Sequence, residues 1–207
     1  MARKNRRADN SRQRQAVASE AARLMQNHGL RDYRIAKSKA SDRLGLGRQG
    51  ALPSNGEVEL ALVEHQRIFA GDEHESLQAQ LRAAAADMMR MLHSFSPRLV
   101  GDVLAGTANE HSLVDLHLFS DTPELVSETL AMQGIRHRST ARRHRLRPGP
   151  PASYAAFACR LSNCEYMLTI FPLSQRGQPP LSPVDGRPMR RAKLRVVEGL
   201  LEGCGSE

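Results

Sequence analysis

A chain of 207 residues with 40% hydrophobic content can bury a real core, and its length suits one domain or two small ones. A formal charge of +8 and a pI near 10.1 favour an acidic partner, nucleic acid or a nucleoside triphosphate, over a basic one. Cys159, Cys164 and Cys204 are too few for a disulfide framework or a four-cysteine zinc site, and no apolar run approaches the roughly 18 residues of a membrane span, so the expected setting is cytoplasmic, with no membrane partner.

In chain order, residues 1–12 read as a flexible basic tail, because Arg3, Lys4, Arg6, Arg7 and Arg12 come with almost nothing apolar. Residues 13–95 read as a bundle of about four helices. Val17, Ala21, Leu24 and Met25 share a helical face, and Gly29 is a suitable stop. A second helix is predicted from Asp32, its cap, to Leu44, with Ile35, Ala36, Ala40 and Leu44 inward. Ser54 and Glu57 have the spacing of a capping box for a third, carrying Val58, Leu62 and Phe69. Leu77, Leu81, Ala84, Met88, Met91, Leu92 and Phe95 form the apolar stripe of a fourth.

After Pro97 the period changes from helical to alternating, which sets the expected domain boundary. Leu99 to Leu104 reads as one strand, and Val114, Leu116 and Leu118 alternate with Asp115, His117 and Phe119 as a second. Pro123 fits the first position of a helix with Leu125, Val126, Leu130 and Met132 on its apolar side, capped by Asp121 or Thr122 and ended by Gly134. Ile135 to Leu146 reads as extended. Tyr154 to Leu161 and Cys164 to Phe171 form a hairpin about Ser162-Asn163 that sets Arg160 opposite Glu165. Residues 96–172 thus make a small α/β core. Residues 173–207 hold a Pro- and Gly-rich connection and a last helix near Arg190 to Leu201.

Strand, glycine-rich turn and strand with alternating acids together give the run GDVLAGTANEHSLVDLHLF, Gly101 to Phe119. This run resembles the signature of nucleotidyltransferases of the DNA polymerase beta type, G-S-x-x-x-G-T-A-x-x-x-S-D-h-D. Gly101, Gly106, Thr107, Ala108, Ser112 and Asp115 match it, while Asp102 stands at the serine and Leu113 at the first acid. The resemblance implies an α+β chain whose mixed-sheet domain transfers a nucleoside monophosphate from a triphosphate to an acceptor hydroxyl, with Mg2+ or Mn2+. It implies Asp115 as the metal-holding catalytic acid, Glu165 as a contributing acid, and Gly101, Asp102, Gly106, Thr107 and Ser112 about the nucleotide. Sliding the register would pair Asp115 with His117 as metal ligands, which softens the donor set.

Two other readings stand beside the transferase. One is an inactive fold of the same type kept as a binding or regulatory module, whose basic face, Arg136, Arg138, Arg142, Arg143, Arg145 and Arg147, contacts nucleic acid. The other is a DNA-binding regulator acting through the helical half, since AARLMQNHG followed by RIAKSKASDRLGL resembles the first helices of tetracycline-repressor-type regulators. The run GLGRQG matches a dinucleotide fingerprint in letters only. A helix precedes it where a strand is needed, and it reads as a linker.

Overall fold

The computed structural model describes residues 2–30, 32–46, 52–69 and 71–202, leaving aside the side chains of residues 2–9 and 66–72. Phe69's side chain and positions 47–50 of the glycine run lie outside that description. The chain is α+β, and it divides into two compact units.

The first unit takes residues 1–74, with short additions at 109–111 and 183–185. Helix α1 spans Ala2–His28 and runs through the stretch that composition marks as a flexible tail. Arginine, lysine and alanine are good helix formers, so a lack of apolar residues removes a reason to be buried and none to be helical. Gly29, at φ +61°, ends it. Helix α2 covers Tyr33–Arg43, and Asp32 caps it by accepting from the amides of Arg34 and Ile35. Ala36 and Ala40 are buried as predicted, but Ile35 and Leu44 are each 42% exposed. Helix α3 covers Asn55–Phe69 and begins with the reciprocal capping box of Ser54 and Glu57. Val17, Ala21, Leu24, Ala36, Ala40 and Val58 close the core of these three helices.

The second unit holds residues 75–108, 112–182 and 186–207. The boundary therefore falls within the fourth helix, not at Pro97. Helix α4, Gly71–Met91, lays Leu81, Ala85, Met88 and Met89 against Leu99, Leu116, Leu118 and Leu168 of the sheet. Its stripe is the cover of the sheet and no part of a separate bundle. Strand β1 is short, Arg98–Val100, because Gly101 at φ +71° turns the chain into the one-turn helix α5, Gly101–Ala105. The sequence alone reads that stretch as one continuous strand. Strand β2, Val114–Phe119, falls where alternation places it, and α6, Pro123–Met132, follows with proline at its start. Of α6's expected apolar side Val126 and Leu130 are buried, while Leu125 and Met132 are exposed.

Strands β3 (His137–Arg145), β4 (Pro151–Leu161) and β5 (Cys164–Phe171) complete a sheet of order β1-β2-β5-β4-β3. Only the β2–β5 pair is parallel. Ser162 and Asn163 both take positive φ, 48° and 67°, the two-residue turn that the hairpin reading requires, and Arg160 stands opposite Glu165. Helix α7, Leu194–Glu202, closes the described chain and buries Val197 in the same core.

Candidate functional site: a cationic face of the sheet

Side chains alternate across a strand, so the register sorts the candidate residues between two faces. Asp115 stands beside Met167 of β5, His117 beside Thr169 and Phe119 beside Phe171, and Arg98 of β1 lies opposite His117. Through β4 the same face continues to Arg138, Thr140, Arg142 and His144 of β3. The opposite face carries Val114, Leu116 and Leu118 into the core under α4. The polar face and the apolar face of β2 are thus separated by the pleat alone.

The structure places the six arginines unevenly. All are exposed, but Arg138 and Arg142 share the face of Asp115, whereas Arg143 and Arg145 project from the other side of the same strand. Arg136 and Arg147 flank β3 at its two ends. Arg142 reaches the carboxylate of Asp115 at 3.6 Å. Glu165 shares that face by parity, exposed at the start of β5 and opposite Arg160.

The glycine positions have structural roles that can be read directly. A Cβ built on Gly101 would lie 3.8 Å from the Cβ of Asp115, with the backbone in the left-handed region. Gly101→Ala is therefore expected to cost about 1–2 kcal/mol from its backbone alone, as read by urea denaturation. Gly106, at φ +80°, ends α5, and the loop behind it is pinned by α4: Gln78 Nε2 donates to the Ala108 carbonyl at 3.1 Å, and Arg82 Nε to that of Val103 at 3.4 Å. Thr107 and Ala108 are buried, so these matched positions face the interior, while Asp102 is exposed on the first turn of α5 and Ser112 is half-buried. Comparison with protein-family models, with curated proteins and with solved structures returns no match.

The donor set decides what a metal would find. Asp115 faces a guanidinium, Leu113 offers no ligand, and His117 is fully buried with its Nδ1 accepting from Arg191 Nε at 3.1 Å. Among the described residues no group of three or more His, Cys, Asp or Glu gathers as ligands would. Two guanidinium ions at the two nearest donors repel a cation, so these residues do not fit a Mg2+ or Mn2+ centre.

His117 belongs instead to an aromatic and cationic cluster. Its ring centre is 4.7 Å from that of Phe171 and 5.3 Å from that of His144, and Tyr154 packs on Phe171 at 4.5 Å. Arg191 lies over Phe171 at 4.9 Å and over Phe119 at 5.1 Å. Burial, then Arg191, His144 and Arg142, holds the His117 imidazole well below its usual titration range. Burial chiefly, with Arg142 and Arg191, lowers His144 to about 4. Both rings are therefore neutral near pH 7.

Arg191 and Arg98 escape sequence reading. Arg191 comes from an irregular connection, and it meets His117 from 74 positions away. Only Arg98's place beside the β1 start, on the face of an alternating strand, could have marked it.

Proposed function

We propose that the second unit is a nucleotidyltransferase-like fold that acts as a binding module for the phosphate backbone of nucleic acid, without metal-dependent nucleotidyl transfer. The observation that carries this reading is the Arg142–Asp115 contact: the one acid that matches the family's pair is neutralised by an arginine of the edge strand. The sheet order, with a glycine turn before the acid-bearing strand, supports the fold resemblance. Strand β3 supports the ligand. As an edge strand it needs a charge or two to discourage pairing with another sheet. It and its flanks carry six exposed arginines, on both faces, which is far more than edge protection requires. Backbone contact needs cation density without base stacking, and aromatic residues make up only 4% of the chain.

Duplex and single-stranded RNA and DNA of equal length, titrated with the full chain at several salt concentrations, test the reading. Affinity is expected to fall steeply with salt for all of them. Arg143→Ala with Arg145→Ala, both away from the Asp115 face, should weaken binding by about tenfold and reduce the slope of log affinity on log salt by about two. Metal-dependent incorporation of a nucleotide that disappears in Asp115→Ala would overturn the proposal in favour of a transferase. Absence of salt-sensitive binding would remove the nucleic-acid partner.

A further inference from the structure

Three arginines come together at the end of the sheet that the preceding reading does not use, two of them on the Phe119 ring and the third through its carbonyl. Arg191 is half-buried, stacked on two phenyl rings and oriented by the Nδ1 of His117. Arg98, from β1, shares one of those rings, with its guanidinium carbon 5.9 Å from the centre of Phe119, and its Nη1 donates to the carbonyls of Ser96 and Pro97 at 2.8 Å. Arg176 is exposed on the turn after β5, and its own carbonyl receives Arg191 Nη1 at 3.5 Å.

These three charges lack a counter-ion. Among the described residues none of them is in an ion pair, and the carboxylate of Asp121, on the neighbouring turn, is engaged by the Leu173 amide. Arg191 Nη2 is buried without an acceptor. Mutual repulsion is felt: burial and then Arg98 lower the Arg191 pKa to about 10, and burial and then Arg176 lower that of Arg98. A half-buried guanidinium that has given up water normally has an anion in return. Here the fold supplies the carbonyls of Gln175, Arg176 and Gln178 to Nη1 and the fully buried His117 to Nε, but no anion.

We propose that Arg98, Arg176 and Arg191 form a binding site for a phosphate-type oxyanion, either inorganic phosphate or the terminal phosphate of a small phosphomonoester. A tetrahedral dianion presents oxygens to several guanidinium forks at once, and it balances most of the charge gathered there. His117 acts as a positioning residue. Because Arg191 Nε must donate, His117 Nδ1 must be the unprotonated nitrogen, which fixes the Arg191 charge in place while Arg98 and Arg176 supply the donors to the ligand. The site is independent of the β3 arginines, so either proposal can fail alone.

Calorimetric titration of the full chain with sodium phosphate, at ionic strength held constant with chloride, tests the site. Saturable binding is expected, weakened by about tenfold in Arg176→Ala and in Arg98→Ala, each equivalent to losing one charge-assisted hydrogen bond. Arg176 is exposed, so its variant keeps the fold. The double variant Arg143→Ala with Arg145→Ala should bind phosphate as the parent does. AMP in place of phosphate separates the sources: tighter, Arg98-dependent binding of AMP assigns the site to a phosphomonoester, and equal or weaker binding assigns it to the free ion. No saturable phosphate binding, or equal losses in the β3 double variant, would overturn the inference.

Discussion

Phe171→Ala is expected to lower the stability of the second unit by about 3–5 kcal/mol, the range for emptying a fully packed phenyl site. Phe171 is wholly buried at the end of β5, and its ring touches those of His117, Tyr154 and His144 as well as the Arg191 guanidinium. Its carbonyl also accepts from the Ser120 amide at 2.9 Å, so the backbone at this position is anchored and cannot easily close a cavity. The loss has a second component. With the ring gone, Arg191 and two neutral histidines face a void in place of an aromatic surface, which favours entry of water and reorientation of the guanidinium. Phe171→Leu retains most of the volume and should cost about 1–1.5 kcal/mol. Met132→Ala, on the exposed side of α6, should stay within about 0.5 kcal/mol of the parent. Urea denaturation of the three variants separates these cases. Equal effects for Phe171→Ala and Met132→Ala would mean that the aromatic cluster is not part of the cooperative core.

The difference between these positions also marks what a sequence can disclose. Local chemistry was legible. Asp32 and the Ser54–Glu57 box cap their helices because a short polar side chain meets free amides within three residues, an arrangement that needs no knowledge of the fold. The β4–β5 hairpin was legible for the same reason: Ser162 and Asn163 tolerate positive φ, and period-two alternation on both sides fixes the register. Alternation in β2 placed Asp115 and His117 on one face correctly.

The rest was not local. The apolar stripe of α4 has the same period whether it packs on helices or on a sheet, so nothing in it disclosed that its partners are Leu99, Leu116 and Leu168. Arg138, Arg142, Arg143 and Arg145 form one dense run in sequence, yet the pleat divides them between faces, and the division decides which can reach Asp115. The site around Arg191 needed the whole fold. A residue from a Pro- and Gly-rich connection meets a histidine from a central strand and an arginine from the edge, and no periodicity links the three. The match of Gly106 and Thr107 to a nucleotide-binding pattern has a comparable limit. The letters agree, but α4 ties that loop inward and buries Thr107.

Acid is expected to begin destabilising the second unit below about pH 6.5, where its carboxylates are still ionised. In the unfolded chain both histidines should titrate near 6.5, whereas in the fold His144 is lowered to about 4 and His117 is held well below its ordinary value. Below 6.5 the unfolded state therefore binds more protons than the folded one, and stability falls with pH. The stability is fully present above pH 6.5 and is lost progressively as pH drops through about 4. The slope approaches about 1.4 kcal/mol per pH unit for each imidazole that remains neutral, and less for His144, whose ring is partly open to solvent. The groups around the pair reinforce this sign: Arg191 from the connection, Arg142 from β3 and Arg98 from β1 are all cationic, while of the two acids on that face Asp115 is engaged by Arg142 and Glu165 stands at the exposed start of β5. His144→Gln should make the slope between pH 6 and 5 shallower, by less than one proton, while leaving stability at pH 7.5 nearly unchanged, and the contrast is read from urea midpoints in a phosphate-free buffer. Repeating the series in phosphate at constant ionic strength joins this result to the arginine site. An anion beside Arg191 offsets part of the positive field felt by His117, so the loss of stability should shift to lower pH in the parent and much less in Arg98→Ala.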